Sequence, residues 1–298
     1  MKILVTGATG LIGSALVPAL EGNGHEVLRV SRSEHDEEKF VLWDPYEGFP
    51  DSEAARLEGV DAVVHLAGES IGEYWTEEKK KKLRKSRVEG TRTLVEALSK
   101  LEKPPRIFVS ASAIGYYGSR GDEEITDESA PGEGFLAELS RDWEAESMKA
   151  TEFGARVVIP RFGIVLSKEG GALAKMITPF SFGLGGTVGE GSQWMSWIAL
   201  PDLVRMLQFL INNDRITGAL NATAPNPVTN EEFTNTLGKV LKRPTIIPVP
   251  GFGVKLLFGE MGERLLLEGA RVLPEKLLEA GFTFDYPDLE DALKQALG

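Results

Sequence analysis

The stretch MKILVTGATGLIGSALVPALEG (residues 1–22) places a short apolar run, three glycines and an amphipathic segment in immediate succession. The apolar run predicts a β-strand at Ile3–Thr6, and the amphipathic segment predicts a helix. Gly7, Gly10 and Gly13 lie at the turn between them. A side chain there would clash with the turn, with an approaching diphosphate, or with the close contact between helix and strand. The stretch therefore predicts a dinucleotide-binding strand–turn–helix.

The residues around these glycines are predicted to contact the same dinucleotide. The N-terminus of the helix presents unpaired N–H groups and the positive end of the helix dipole to a phosphate. A nucleotide triphosphate P-loop is excluded because no Gly-Lys-Ser/Thr completes that motif. The cofactor contacts predicted in this turn are Gly7, Thr9, Gly10, Leu11, Ile12 and Gly13.

Further short apolar runs continue the alternation of strands and helices. Their cores are nearly continuous in apolar residues, as expected for parallel strands covered on both faces. Helix patterns over residues 11–22, 76–100 and 135–152 predict right-handed crossovers between these strands. The runs predicted as strands are Ile3–Thr6, Glu26–Val30, Phe40–Trp43, Ala62–Leu66, Ile107–Ser110 and Arg156–Pro160.

The composition changes after Arg161, where glycine and proline become dense over residues 163–191 and prolines interrupt short amphipathic segments in residues 226–298. The predicted fold class is α/β, a doubly wound parallel (Rossmann) sheet with a smaller α+β C-terminal substrate domain. We assign residues 1–165 and about 192–215 to the dinucleotide-binding domain, and residues of about 166–191 and 216–298 to the substrate domain.

Composition excludes several classes of function. The 298 residues include 33 basic and 45 acidic side chains, and a net charge of −12 lacks the positive footprint of a nucleic-acid or acidic-membrane binder. The absence of cysteine excludes disulfides, iron–sulfur clusters and thiol catalysis, and three histidines make a His-rich metal site improbable, so no metal is predicted. No apolar run approaches the ~20 residues of a membrane span. The N-terminus lacks the layout of a signal peptide. We expect a soluble, cytoplasmic protein with a small-molecule substrate; the sequence leaves its oligomeric state open.

The end of the second strand indicates the type of dinucleotide. An NAD site usually has an acidic residue there, bonded to the ribose hydroxyls. This chain has Ser31 and Arg32 instead. A guanidinium beside hydroxyl groups suits a 2′-phosphate, although the acidic run over residues 34–38 argues the other way if it folds back. We predict NADP as the cofactor.

A run of cations follows the fourth strand. Seven lysines and arginines occupy the nine positions from Lys79 to Arg87. In an acidic chain such a run could bind a polyanion, but a solvated face of the long helix is the simpler interpretation for most of its members.

Several motifs resemble the extended short-chain dehydrogenase/reductase superfamily, which includes nucleotide-sugar epimerases and dehydratases. They are the glycine spacing, His65-Leu66-Ala67-Gly68 after the fourth strand, Val88-x-Gly90-Thr91, and Ser110-Ala-Ser112. The chain resembles, more narrowly, the NAD(P)-dependent epimerase-like subgroup with a C-terminal domain of unknown function. The strings that carry this resemblance are SASAIGYYG (110–118), FLAELSRDWE (135–144), GLGGTVGEGSQWMSWI (183–198) and NATAPNPVTNEEF (221–233).

The resemblance implies a catalytic set of Asn, Ser or Thr, and a Tyr-x-x-x-Lys pair, in which the Tyr exchanges a proton and the Ser positions the substrate oxygen. In this chain the Ser is retained as Ser112, but the Asn, Tyr and Lys positions fall on Arg87, Phe135 and Leu139. Phe cannot donate a proton, and Leu cannot lower the pKa of a neighbour. Membership of the superfamily therefore does not by itself supply its chemistry.

The resemblance also identifies further cofactor contacts. Arg87 takes a sheet-facing position, so its guanidinium is expected to point towards the cofactor or the substrate, and Lys82 is expected near the nucleotide. His65 lies in a buried strand and is expected to be structural. The remaining predicted cofactor contacts are Asp44, Leu66, Ala67, Gly68 and Ile164.

Another group could supply the missing proton. Tyr116 and Tyr117 follow Ser112 on the loop that leaves the fifth strand, at the sheet edge where ligands bind. Glu138 precedes Leu139 on the helix that carries the Tyr and Lys in relatives. Packing of the tyrosines at a domain edge, and a surface position or salt bridge for Glu138, are the alternatives, as is a protein without a conventional proton donor.

The segment over residues 170–200 is expected to cover the nicotinamide. Lys175, Gln193 and Trp197 are predicted to contact the substrate, with an interdomain core as the alternative for each. Asp202 is expected to be a helix N-cap. Two functions remain open: an NADP-dependent oxidoreductase or epimerase with an altered active site, acting on a small polar or nucleotide-linked molecule, and a non-catalytic NADP(H)-binding sensor or partner-binding protein.

Overall fold

The fold is that of a computed structural model, which describes residues 1–35 and 37–298. The strands are β1 (Lys2–Thr6), β2 (Glu26–Ser31), β3 (Phe40–Leu42), β4 (Ala62–His65), β5 (Ile107–Ser110), β6 (Ser112–Ala113), β7 (Glu124–Ile125), β8 (Arg156–Phe162), β9 (Ile164–Leu166), β10 (Trp194–Met195), β11 (Trp197–Ala199), β12 (Gly218–Ala222), β13 (Val228–Thr229) and β14 (Arg271–Val272).

The helices alternate with the strands in the first two thirds of the chain. They are α1 (Leu11–Gly22), α2 (Asp51–Ala54), α3 (Glu77–Arg84), α4 (Gly90–Ser99), α5 (Phe135–Met148), α6 (Gly171–Ser181), α7 (Leu200–Asn212), α8 (Asn230–Leu241), α9 (Gly251–Gly262), α10 (Glu275–Glu279) and α11 (Leu289–Leu297).

The large sheet has the strand order β12-β8-β5-β4-β1-β2-β3, and β6 pairs with the far end of β8. All of its pairings are parallel. This order confirms the predicted doubly wound Rossmann sheet. The order reverses between β1 and β4, and dinucleotides bind in the crevice that such a reversal leaves at the carboxyl ends of the strands.

The alternation of side chains along the strands builds one apolar core on each face of the sheet. Ile3 and Val5 point to the face covered by α1 and α7, whereas Leu4, between them, belongs to the core under α4. All three side chains are fully buried. The nearly continuous apolar runs of the sequence therefore reflect burial on both faces.

The C-terminal part is built from three two-stranded sheets, β10-β13, β11-β9 and β14-β7, and from α6, α8 and α11, which share a third core. The predicted domain boundary at residue 216 needs correction, because β12 (Gly218–Ala222) is the edge strand of the large sheet. Leu277 and Phe282 also pack into the core under α1 and α7. Residues after 216 therefore complete the dinucleotide-binding domain as well as the smaller one.

The long helix predicted over residues 76–100 is interrupted. A π-helical turn at Lys85–Glu89 separates α3 from α4. Such a turn adds one residue to the helical repeat and changes the direction in which its side chains point. In the part of the chain that the structure describes, no helix is long and apolar enough to cross a membrane.

Candidate cofactor site and active site

The three glycines of the first turn form a cradle that only glycine can build. Gly7 has a φ of +68°, and a Cβ there would lie 2.9 Å from the backbone of Leu66. A Cβ on Gly13 would lie 2.2 Å from the carbonyl oxygen of Gly7. Gly10 has its N–H bonded to the same carbonyl at 3.0 Å. The turn is thus closed against β4 and against its own helix.

The N-terminus of α1 is open towards the crevice between β1 and β4. Gly10 is the N-cap and supplies no side-chain hydrogen bond, and the first helical bond runs from Ser14 N–H to Gly10 C=O at 2.9 Å. The N–H groups of Leu11, Ile12 and Gly13 therefore precede the helical hydrogen bonds. This backbone fits a diphosphate, as the sequence predicts.

Thr6 and His65 fix the ends of β1 and β4 that flank the crevice. The Thr6 hydroxyl accepts hydrogen bonds from the N–H groups of Leu66 and Ala67 at 3.1 Å each. His65 is fully buried between the hydroxyls of Thr6 and Thr91, at 2.7 and 2.9 Å. Burial lowers the pKa of His65 to about 3. The histidine is neutral and structural, which agrees with the expectation from its place in a buried strand.

The end of β2 leaves a guanidinium in solvent. Arg32 is exposed and forms no ion pair with any other residue the structure describes. Ser31 Oγ lies 2.9 Å from His35 Nε2 and accepts the N–H of Ser33 at 3.1 Å, so this hydroxyl is held at the turn. Glu34, Glu37 and Glu38 of the acidic run are also exposed, whereas its fourth member, Asp36, lies outside the described residues.

Three of the other predicted cofactor contacts are less clearly placed. Asp44 Oδ1 accepts hydrogen bonds from the backbone N–H groups of Tyr46 and Glu47, at 2.7 and 3.2 Å, and so stabilises the turn after β3. Lys82 is exposed and pairs with Glu78 at 3.3 Å. Ile164 is half-buried in β9. The structure gives these three residues structural contacts and does not test their contact with a cofactor.

Arg87 is the one cation of the run that points to the crevice without a counterion among the described residues. Its guanidinium carbon lies 3.3 Å from where a Cβ of Gly68 would be and 5.3 Å from the Trp143 ring. Its hydrogen bond, to the carbonyl oxygen of Leu83, is long at 3.4 Å. Burial lowers the pKa of Arg87 to about 10, and Glu69 acts in the opposite direction. Most of its donors remain available to an anion.

Most of the other lysines and arginines of the run form ion pairs with carboxylates. Lys79 is buried, and its Nζ lies 2.6 Å from Glu69 and 2.8 Å from Glu73. Lys80 pairs with Glu260 of α9. The expected solvated face is therefore wrong for Lys79, which anchors the loop after β4.

An apolar cluster occupies the positions where the superfamily has its Tyr and Lys. Leu139 is buried, and the half-buried Phe135 packs edge-to-face on Trp75 with ring centroids 5.4 Å apart. Met261 and Leu265, from the C-terminal part, cover the cluster. No proton donor or cation stands at either position, although Lys80 Nζ lies 5.5 Å from the Phe135 ring centroid.

Ser112 is engaged in a buried network. Its hydroxyl donates to Glu144 Oε1 at 2.6 Å, and the same carboxylate accepts two hydrogen bonds from Arg161, both at 2.8 Å. Ser112 and Arg161 are buried, with exposed fractions of 2% and 4%. In this arrangement the Ser112 proton points at Glu144, so the hydroxyl oxygen remains as an acceptor.

The two tyrosines that follow Ser112 differ in environment. Tyr117 is fully buried, accepts a hydrogen bond from Arg161 at 2.7 Å, and lies 2.6 Å from Asn221 Oδ1. Burial raises the pKa of Tyr117 to about 12, against the opposing effect of Arg161. Tyr117 thus has the packed, hydrogen-bonded place of its alternative interpretation, and its role as an acid stays a prediction. Tyr116 is half-buried, and the guanidinium carbon of Arg161 lies 3.5 Å from the centroid of the Tyr116 ring. The Tyr116 hydroxyl bonds to no described residue.

Glu138 and the three predicted substrate contacts lie in different parts of the structure. Glu138 is exposed on the first turn of α5. Lys175, on α6, donates to the carbonyl of Gly72 and so connects the C-terminal part to the loop after β4. Gln193 donates to two backbone carbonyls and lines a cleft of about 430 Å³. Trp197 is fully buried in β11, in the core position that its alternative interpretation predicts, and its contact with substrate stays a prediction.

Two residues of the network were not predicted from the sequence. Arg161 lies near the end of the apolar strand β8, and Glu144 lies on the buried side of α5. A charged residue within an apolar pattern was the sequence signal that could have identified both. Asp202, expected as an N-cap, instead accepts the N–H groups of Asp285 and Tyr286 at 2.9 Å each. Within residues 1–35 and 37–298, no group of three or more His, Cys, Asp or Glu side chains could hold a metal ion.

Comparison with known proteins gives the same outline. Residues 3–222 match the NAD dependent epimerase/dehydratase family, and residues 249–296 match a domain of unknown function, DUF1731. The chain is 38% identical over 302 residues to the epimerase family protein YfhF of Bacillus subtilis, covering all of this chain and 98% of the relative. It is 37% identical over 299 residues to human epimerase family protein SDR39U1, covering 99% of each.

Solved structures agree in fold. The crystal structure of human SDR39U1 with NADPH matches with a TM-score of 0.91 and 36% identity, covering 99% of both chains. The UDP-N-acetylglucosamine 4-epimerase of Bacillus cereus matches over the full length of both chains with a TM-score of 0.78, but at 18% identity, which supports the fold alone.

Proposed function

Because the chain belongs to the NAD dependent epimerase/dehydratase family, we propose that it is an NADP(H)-binding, epimerase-like oxidoreductase with an altered active site. Its substrate would be a small polar or nucleotide-linked molecule. The observation that carries the proposal is the glycine cradle at the open N-terminus of α1. The guanidinium groups of Arg32 and Arg87 follow it in the chain, and neither forms an ion pair with a described residue.

The cofactor would be held by three sets of groups. The backbone N–H groups of Leu11, Ile12 and Gly13 suit the diphosphate. Arg32, exposed after β2, suits the 2′-phosphate through charge-assisted hydrogen bonds. Arg87, against Gly68 at the carboxyl end of β4, faces the same crevice and would add a positive charge on the opposite side. NADPH in the human relative's structure supports this choice of cofactor.

The nicotinamide would supply or accept a hydride. Around the expected reacting groups, the Phe135–Leu139 cluster excludes water and offers no proton. The Ser112 hydroxyl, whose proton is directed to Glu144, would accept rather than donate a hydrogen bond from a substrate. Tyr116 is the proton donor we favour, because its hydroxyl bonds to no described residue while that of Tyr117 is buried.

The substrate would enter between the loop after β4 and the C-terminal part. Lys175 already connects these two elements and could instead meet a phosphate or carboxylate of the substrate. Gln193, in the 430 Å³ cleft with Trp194, could contact a ring or a sugar. The division into a dinucleotide-binding and a substrate domain is part of the same proposal, with Gly218–Ala222 moved to the former.

A non-catalytic NADP(H)-binding sensor is the second candidate. The observation in its favour is the buried, apolar character of both residues that replace the Tyr and Lys. The two candidates make different predictions for turnover but the same prediction for binding.

The test combines binding with turnover. Calorimetric titration should show that the wild type binds NADPH. The dissociation constant of Arg87→Ala for NADPH should be at least tenfold higher, because a charge-assisted hydrogen bond is worth about 1.5–3 kcal/mol. A panel of carbonyl compounds and nucleotide sugars, followed by NADPH absorbance, should show generic carbonyls reduced at least ~100-fold more slowly than by relatives that keep the Tyr-Lys pair. Binding without turnover of any compound would favour the sensor, and absence of NADPH binding would refute both.

A further inference from the structure

Lys85, a member of the cation run, makes an exposed contact with Tyr46 that the proposed site does not use. The Lys85 ammonium lies 4.0 Å from the centroid of the Tyr46 ring. Lys85 begins the π-helical turn Lys85–Glu89, is exposed, and forms no ion pair with a residue in the described part of the chain. Tyr46 exposes 43% of its surface. A cation that rests on an exposed aromatic face has a defined position and can still be reached by an anion.

The turn that carries Tyr46 is fixed at the carboxyl edge of the large sheet. It follows β3, and two backbone hydrogen bonds between Asp44 and Gly48, at 2.8 and 3.0 Å, close it. Pro45 packs against the start of α4, where a Cβ on Gly90 would lie only 3.4 Å from the proline side chain. The Tyr46 ring therefore gives the lysine a firm support.

The end of β2 lies beside this turn. Trp43 N–H donates to the carbonyl oxygen of Ser31 at 2.9 Å, so the chain enters the turn next to the residue that precedes Arg32. Burial raises the pKa of the Tyr46 phenol, and the positive charge of Arg32 opposes this rise, so the guanidinium lies within electrostatic range of the phenol. Arg32 and Lys85 thus approach the same ring from two different elements.

Three carboxylates also act on this phenol, and two of them are bonded elsewhere. They are Asp44, Glu69 and Glu89. Glu69 lies 2.6 Å from the Lys79 ammonium, and Asp44 Oδ1 accepts two N–H groups of its own turn. The charges of Arg32 and Lys85 can therefore be matched by an anion from outside the chain.

We propose that Lys85 is a second cationic contact for the 2′-phosphate of NADP(H), together with Arg32, and that Tyr46 is the positioning residue for its ammonium. The proposal rests on the cofactor site described above and adds a determinant of cofactor specificity to it. Arginine offers a forked donor, whereas lysine offers a compact charge, so the two residues bind a phosphate in complementary ways. The preference for NADP(H) would then be shared between the end of β2 and the π-helical turn.

Calorimetric titration of the full chain with NADPH and with NADH tests the proposal. In Lys85→Ala the dissociation constant for NADPH should rise about tenfold, because a charge-assisted contact is lost, and that for NADH should not change. Lys85→Gln, which keeps most of the side chain but not its charge, should lose as much. Lys100→Ala removes the same charge from an exposed position at the other end of α4 and should bind both cofactors as the wild type does.

Two smaller probes assign the effect to the phosphate. Adenosine 2′,5′-bisphosphate carries the 2′-phosphate without the nicotinamide, and adenosine 5′-monophosphate lacks both. Lys85→Ala should weaken binding of the bisphosphate and leave binding of the monophosphate unchanged.

A double-variant comparison tests the role of Tyr46. Tyr46→Ala should weaken NADPH binding about threefold, because the ammonium loses its support, and should have no further effect in the Lys85→Ala protein. Tyr46→Phe keeps the aromatic face and should bind NADPH as the wild type does. An additive loss in the double variant would overturn the positioning role.

The outcomes separate this inference from the proposed function. A wild type that prefers NADPH, with a Lys85→Ala variant that keeps the full preference, would overturn the inference and leave the proposed function intact. Equal weakening of NADPH and NADH in Lys85→Ala would also overturn it, because the contact would then not be with the 2′-phosphate. A wild type that does not bind NADPH would refute both.

Discussion

Glu144 and Arg161 form a two-pronged ion pair beneath the active site, with Nε–Oε1 and Nη2–Oε2 distances of 2.8 Å. The pair connects α5 to the end of β8 and holds Ser112 and Tyr117 through further hydrogen bonds. Removing one member of a buried pair leaves an uncompensated charge. The pair thus couples the stability of the fold to the positions of Ser112 and Tyr117.

Breaking this pair should be more costly than replacing it. We expect Glu144→Gln to lower the free energy of unfolding by about 3–5 kcal/mol, because Arg161 remains charged and buried. The double variant with Glu144→Leu and Arg161→Met should lose less than either single change. Urea unfolding of the wild type, Glu144→Leu, Arg161→Met and the double variant measures the coupling, and additive losses would contradict the pairing.

Arg32 should determine the preference for NADP(H). We expect wild-type protein to bind NADPH at least roughly tenfold more tightly than NADH, and Arg32→Ala to reduce that ratio towards one by weakening NADPH alone. Lys39→Ala is a control at a nearby exposed cation that pairs with Glu21. Calorimetry with both cofactors gives the ratio, and an Arg32→Ala variant that retains the preference would show that the 2′-phosphate is held elsewhere.

The cradle should not tolerate a side chain. In Gly13→Val the Cβ would have to pass within 2.2 Å of the Gly7 carbonyl oxygen, so α1 must shift away from the turn. We expect this variant to fold but to lose NADPH binding. Gly22→Val, at the other end of α1 with nothing within 4 Å, is the control and should bind normally. Titration of NADPH into each, after circular dichroism, separates lost binding from lost fold.

His65 should make the protein sensitive to acid. Its pKa in the folded state is about 3, below the 6.5 of an unperturbed histidine, so the unfolded chain takes up the proton first as the pH falls. The contribution of neutral His65 is therefore complete above pH 6.5 and is lost between pH 6.5 and 3, by roughly 4–5 kcal/mol in all. Unfolding of wild type and His65→Asn across this range is the measurement. The variant should show a shallower pH dependence, and an identical slope would exclude His65 as its source.

Tyr116 and Tyr117 should respond differently to loss of the hydroxyl. Tyr117→Phe leaves Arg161 Nη1 and Asn221 Oδ1 without their hydrogen bonds to the Tyr117 hydroxyl and should cost about 1–3 kcal/mol of stability. Tyr116→Phe should leave stability and NADPH affinity unchanged but lower turnover of an identified substrate by roughly 100-fold or more. Steady-state kinetics beside urea unfolding compares the two, and an unaffected rate in Tyr116→Phe would show that another group supplies the proton.

The fold could be predicted because its determinants are local. Three glycines at fixed spacing and apolar strands such as Val63–His65 leave few alternatives to a parallel sheet. The candidate site could be predicted only in part. The order of residues shows that Phe135 and Leu139 are apolar, but whether Tyr116 or Tyr117 is buried depends on Arg161, which is distant in sequence.

The C-terminal part was the least predictable for a similar reason. The aromatic side chain of Trp197 is of a type that often contacts substrates, yet the pairing of β11 with β9 places it inside a core. Asp202 has the position of an N-cap, yet its carboxylate holds a segment more than 80 residues away. Contacts of such sequence separation leave no local pattern.

The placement of Leu277 and Phe282 in the core under α1 and α7 bears on how the chain folds during synthesis. When the ribosome has released the chain as far as β12, every strand of the large sheet has emerged, yet the apolar surface that these two side chains cover is still open to water. A segment that ends at residue 222 therefore leaves this apolar surface uncovered, and truncation there should yield a chaperone client. The nascent protein is expected to become stable only after Phe282 has left the ribosome.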